Sequence, residues 1–223
     1  MSLRPFITFL ILLLGLVAIT QAQSIRDNKT CGINPGKPLR NAYGPFDYTN
    51  PSHASKLPLV ITAHFTADVR TLKRGTTNRT PHGDIDYTLR AIPNYHPALH
   101  AITKLEARDR RALKEWEIFT PSHYSTKCYF ERAIYFQPND ATTHMLYAMY
   151  LHSIEKDAKS AEQMYERALA KQPNHTELHY NMGLFYISIG DLEKAEYHAK
   201  VAYQNKYPLP GLKNKLAKAK TAK

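Results

Sequence analysis

The sequence predicts an all-α protein, a short stack of antiparallel helix pairs preceded by an irregular, loop-rich N-terminal extension. Three observations carry this reading. Proline and glycine crowd the first ninety residues and then thin to punctuation. Small residues recur at helical spacing beyond residue 94. The recurrence has a period of about 34 or 35 residues, the length of one helical hairpin.

Residues 1–22 have the pattern of an export leader. Arg4 supplies a positive start, Phe6 to Ile19 is an almost unbroken apolar run, and Thr20-Gln21-Ala22 places small residues before a cleavage point, with Gln23 as the new N-terminus. The run is short for a bilayer, which needs about 20 apolar residues. A secreted or periplasmic protein is the expectation, with an uncleaved N-terminal membrane anchor as the alternative. The remaining chain, about 200 residues, suits a single core.

Residues 23–93 form the extension. Pro35, Gly36, Pro38, Gly44, Pro45, Pro51, Pro58, Gly75, Pro81 and Gly83 interrupt any long helical period. One short helix is expected between Leu57 and Leu72, where Val60, His64 and Ala67 share a face. The clusters Tyr43-Gly-Pro-Phe46-Asp-Tyr48 and Asp84-Ile-Asp-Tyr87 read as anchors that pack the extension down, since so many aromatics argue against disorder. Asp84 and Asp86 are close enough for a cation or paired-carboxylate role, while the neighbouring Gly83 and Tyr87 suit a turn entering a packed segment equally well.

The cysteine pair, Cys31 and Cys128, joins this extension to the helical region. In an oxidising compartment an isolated even pair reads as one disulfide, with two buried thiols as the alternative.

From 94 to 207 the chain reads as repeats. Ala161-x6-Ala168-Leu169 leads to Pro173, and Ala195-x6-Ala202 leads to Pro208; small residues let two antiparallel helices approach, and each proline stops a helix. Residues 174–207 form the clearest unit and 139–173 the next. Residues 94–138 are a degenerate one, with helices over Pro97–Ala107 and Ser125–Phe136 and a long connection around 108–121. Residues 208–223 are a basic tail or capping helix.

At Thr176 to Tyr207 the chain resembles the tetratricopeptide repeat family. Tyr180, Met182, Gly183, Tyr186, Gly190, Asp191, Ala195, Ala199 and Ala202 stand where that family has its packing residues. Ala141 to Pro173 is similar, with Ala148 in place of the usual glycine. The extension resembles that of exported bacterial repeat proteins of unknown function. The tetratricopeptide-like resemblance implies recognition of a protein or peptide of the cell envelope, without catalysis, in a concave groove lined by the first helix of each hairpin. The implied lining is Thr142, Met145, Met149 and His152 from one unit and Glu177, Tyr180, Asn181, Leu184 and Ser188 from the next. Only Asn181 matches the family's carboxylate clamps, so an apolar or aromatic-bearing segment fits better than a C-terminal carboxylate.

The formal charge is +11 and the isoelectric point near 9.5. After Glu196 no acid occurs, while Lys200, Lys206, Lys213, Lys215, Lys218, Lys220 and Lys223 follow. The tail reads as a solvated helix end, with weak contact to anionic surfaces as the secondary reading. Nucleic acid is not expected for an exported chain lacking aromatic-rich basic motifs. No cofactor or metal is expected. His175 with His179, and His96 with His100, have a four-residue spacing, but Pro97 and the position of His175 ahead of its helix spoil both pairs. A competing reading makes the extension a small metal-dependent or hydrolytic enzyme using His64, His82, Asp84 and Asp86.

Overall fold

The computed structural model describes residues 30–114 and 123–221; the leader and most of the connection before Ser125 lie outside them. The described residues contain helices and no strand. After a 3-10 turn at Pro51–His53 come α1 (Leu57–His64), α2 (Ala67–Arg70), α3 (Pro81–Ala91), α4 (His96–Ala112), α5 (Thr126–Phe136), α6 (Ala141–Ser153), α7 (Ala158–Lys171), α8 (Thr176–Ile189), α9 (Leu192–Gln204) and α10 (Gly211–Thr221). None of these helices is long and apolar enough to cross a membrane.

The helices begin where the sequence can satisfy their free N–H groups. Ser125, Asp140, Asp157, His175 and Asp191 each accept a hydrogen bond at 3.0–3.2 Å from the backbone N–H three residues on. His175 therefore precedes α8 as its cap. At the other end of α8, Gly190 has φ +84°, the left-handed conformation that closes a helix and that glycine adopts without strain.

The hairpins α6–α7 and α8–α9 are closely paired, and α4–α5 is a looser third pair. Successive first helices α4, α6 and α8 pack in series and α10 continues the row, while α5 and α7 each pack against the next first helix. Close pairing depends on residues with little or no side chain: Ala148, Ala161, Ala168, Ala195 and Ala202 are completely buried. A Cβ built on Gly183 would lie 2.6 Å from Leu212 Cδ2, so only glycine lets α10 approach α8 this closely. Leu212 and Leu216 bury against the last hairpin, making 211–221 a capping helix.

Two histidines repeat with the period. His144 Nε2 donates to Pro138 O at 3.0 Å and His179 Nε2 to Pro173 O at 2.8 Å, tying each first helix to the proline turn before it. His179 Nδ1 meets His198 Nδ1 at 2.8 Å. His144 Nδ1 has no hydrogen-bond partner among the described residues. The difference follows from the sequence, since Met164 stands where the next unit has His198 and offers no donor.

The extension departs from expectation in its number of helices. Leu57–Leu72 is two helices rather than one, broken at Phe65-Thr66, and α3 replaces the expected turn at Asp84 to Tyr87. Pro81 opens α3 and Asp84 sits in its first turn, while Ile85 and Leu89 make its buried face and Ile92 follows at its end. α4 also continues past Ala107 to Ala112. The anchors behave as expected. The Phe46 N–H donates to Ala91 O at 2.8 Å, Tyr43 and Phe46 pack edge to face at 4.9 Å, and Tyr48 packs on Tyr95 at 5.0 Å. The Cys31–Cys128 disulfide is formed, with both residues buried.

Candidate functional site

The row of first helices provides one continuous face. Its register is set by contacts spaced 36 residues apart: Asn181 Nδ2 donates to Met145 Sδ at 3.6 Å, and Ser188 Oγ lies 3.0 Å from His152 Nε2. Met149 and Leu184 lie on these two helices and each packs against the core. Both are half-buried, as are Thr142, His152 and Asn181, while Glu177 and Ser188 are exposed. Asn181 is held along its helix by a second bond from Nδ2 to Glu177 O at 3.0 Å. Glu177 also acts through space on His100 of α4, where it opposes the lowering of the imidazole pKa by burial and by Lys104. His100 of α4 and Glu177 of α8, first helices two repeats apart, are thus close enough to interact electrostatically.

Two of the residues implied for this face lie beneath it. Met145 is 2 % exposed, and Tyr180 is 8 % exposed and stacked on Tyr207 at 4.2 Å. A stack of so few units uses these large side chains to complete its own core.

The residues of the competing enzymatic reading do not converge. Asp84 and Asp86, two apart on a helix, point to different sides. Asp84 accepts hydrogen bonds from Thr76 N at 2.7 Å, Asn78 N at 3.1 Å, Asn78 Nδ2 at 3.0 Å and the Thr77 hydroxyl. Burial pushes its carboxyl up, but the bonds from Thr77, Thr76, His64 and Asn78 outweigh this and hold it well below the usual aspartate range. Asp86 instead accepts from Tyr129 Oη at 2.8 Å and pairs with Arg90 at 3.0 Å. His64 Nδ1 meets both Asp84 Oδ1 and Thr77 Oγ1 at 3.0 Å. A relay needs the carboxylate on one ring nitrogen and the nucleophile on the other. His82 packs against His123 at 4.9 Å, away from this group. The cluster fastens the 76–78 loop to α3.

Sequence reasoning missed a second buried network. Asn94 Nδ2 donates to Asp47 Oδ1 at 2.8 Å and to Asp140 Oδ2 at 3.2 Å, while its Oδ1 accepts from Tyr48 N at 2.9 Å. His96 Nε2 lies 2.7 Å from Asp140, and Gln137 Nε2 donates to Asp47 at 2.6 Å. This hub locks the extension to two interhelical turns. Its hydrogen bonds join residues 44 or more apart, and no local pattern pairs them. His96 and His100 are accordingly divided between the hub and the groove face.

The histidine pair has a consequence for pH. Burial, then the adjacent His179 and Lys194, pushes His198 down to about 4. His179 Nε2 must donate to Pro173 O, so its Nδ1 accepts from His198 Nδ1 when both rings are neutral. In the unfolded chain His198 takes up its proton near the ordinary value of about 6.5. Stability supplied by the neutral ring is therefore complete above that value and declines as pH falls from it towards 4. One proton corresponds to about 1.4 kcal/mol per pH unit. Urea unfolding between pH 7 and 4.5 is expected to show a slope about one proton smaller in His198→Phe than in the wild type; equal slopes would refute the assignment.

The tetratricopeptide repeat family model matches residues 154–197, which span α7, α8 and the start of α9. No curated protein matches the chain.

Proposed function

We propose, from the match of residues 154–197 to the tetratricopeptide repeat family, whose helical hairpins mediate protein interactions, that the first-helix face binds an extended or helical segment of a partner protein. The observation supporting this is that two apolar side chains on successive first helices, Met149 and Leu184, stay only half-buried, with the polar Thr142, Asn181 and Ser188 on the same helices. A partner covering the two apolar groups would remove their remaining surface from water, and the polar flank would orient it through hydrogen bonds. The partner segment carries an apolar or aromatic anchor, because the face has a single carboxylate, Glu177, and no lysine or arginine beside Asn181 to clamp a terminal carboxylate.

We also propose export, with cleavage before Gln23. The apolar run from Phe6 to Ile19 and a disulfide that requires an oxidising compartment both support it. Intact-mass measurement of the protein from an envelope fraction is expected to give a chain beginning at Gln23; a chain retaining Met1 in the membrane would replace this reading with an anchor.

Met149→Glu and Leu184→Glu each put a charge on the half-buried part of the face. Crosslinking in native envelopes is expected to capture a partner with the wild type. With either variant capture should fall at least about tenfold, on the order of 1.4 kcal/mol, at a temperature where thermal unfolding shows the variant still folded. Equal capture by all three proteins would count against the face as the binding site.

A further inference from the structure

A cavity of about 370 Å³ lies between the residue 32–41 segment, Arg90 of α3, Tyr124 and Arg132 of α5. This is away from the first-helix face, because α5 is the second helix of its hairpin. Lys37, Arg40, Arg90 and Arg132 line it, and no carboxylate among the described residues does. Arg132 is 4 % exposed, yet its Nε has no hydrogen-bond partner among the described residues. Its Nη1 donates to Cys31 O at 3.0 Å, and its guanidinium lies 4.9 Å from the Tyr124 ring centre. Arg90 is already engaged, its Nε with Asp86 and its Nη1 with Asn41 Oδ1 at 3.0 Å. Asp86 accepts from Tyr129 and Arg90 and takes no hydrogen bond from Arg132 Nε.

A buried guanidinium with an unmet donor is costly, and desolvation disfavours its charge. The protein nevertheless places three further cations around it. Arginine matches planar or tetrahedral oxyanions in two-point geometry, and the rim residues Lys37 and Arg40 are exposed and can close over such a group. We propose that this cavity is a binding site for an oxyanion, a phosphate or a carboxylate, carried on a small polar molecule. The volume exceeds that of a bare anion and lies at the lower end of small-ligand sites. The disulfide holds the cavity together, since Cys31 supplies the carbonyl that positions Arg132 while Cys128 lies on the same helix as that arginine.

The test uses the full disulfide-bonded chain, titrated separately with inorganic phosphate and with acetate at ionic strength held constant by chloride. The arginine Nε–H resonance of Arg132 is followed by NMR. At least one anion is expected to shift it saturably, and the one that saturates at lower concentration identifies the ligand's oxyanion. Lys37→Gln with Arg40→Gln changes only exposed side chains and is expected to weaken that binding at least tenfold without moving the anion-free melting temperature. Arg132→Gln, if it folds, is expected to abolish binding. A linear response reproduced by chloride, or saturation untouched by the rim substitutions, would overturn the proposal.

Discussion

Replacing Cys31 and Cys128 together by alanine is expected to lower the unfolding free energy by about 4–5 kcal/mol. The bond joins residues 97 apart, and a loop of roughly a hundred residues restricts the unfolded chain by that amount in the chain-entropy account. The folded state adds a local effect. The segment after Cys31 docks on α5 through Tyr135 Oη, which donates to Asn34 O at 3.0 Å and Lys37 O at 2.8 Å, and through Arg132. Without the tether this segment has few buried apolar groups to hold it, Leu39 being the main one beyond Cys31 itself. Denaturant unfolding of the oxidised wild type and the double variant measures the difference. A loss below about 1 kcal/mol would show that the segment contributes little to the native state.

The second large effect is expected at the other end of the stack. Leu212 is fully buried and sits against Gly183, where no other side chain fills the space. Leu212→Ala leaves a cavity and is expected to cost about 3 kcal/mol, within the usual range for such truncations. It also loosens α10 from α8 and α9, uncovering the apolar end of the last hairpin. Stacked hairpins need a cap, so sedimentation should reveal self-association of the variant at concentrations where the wild type does not associate. A variant that loses less than 1 kcal/mol and does not associate would mean that α10 is not the cap.

The three hairpins were legible because their determinants are local. Ala161, Ala168, Ala195 and Ala202 announce a close helix pair by spacing alone, and Asp140, Asp157 and Asp191 mark starts that the capping geometry then uses. The repeat period also placed α4 and α5 despite the long connection between them. Helix α3 was misread because Gly83 and two aspartates are turn-forming residues, although Ile85, Leu89 and Ile92 carried a helical period. On the first-helix face the sequence does not separate surface from core residue by residue. Met145 and Tyr180 share its periodicity with Met149 and Leu184, and burial alone separates them.

The sequence by itself determined the helical class, the period, the caps and the candidate disulfide pair, since each is written within a few residues or in a count of two cysteines. The tertiary structure alone decided which carboxylate each buried polar group would meet. Asp84 closes a loop, Asp86 serves Tyr129 and Arg90, and Asp47 and Asp140 share Asn94. It also decided that Arg132 would be left among cations with an open donor. Such pairings depend on elements 40 to 100 residues apart arriving at one place, and the low dielectric there makes each match or mismatch count far more than it would in the unfolded chain.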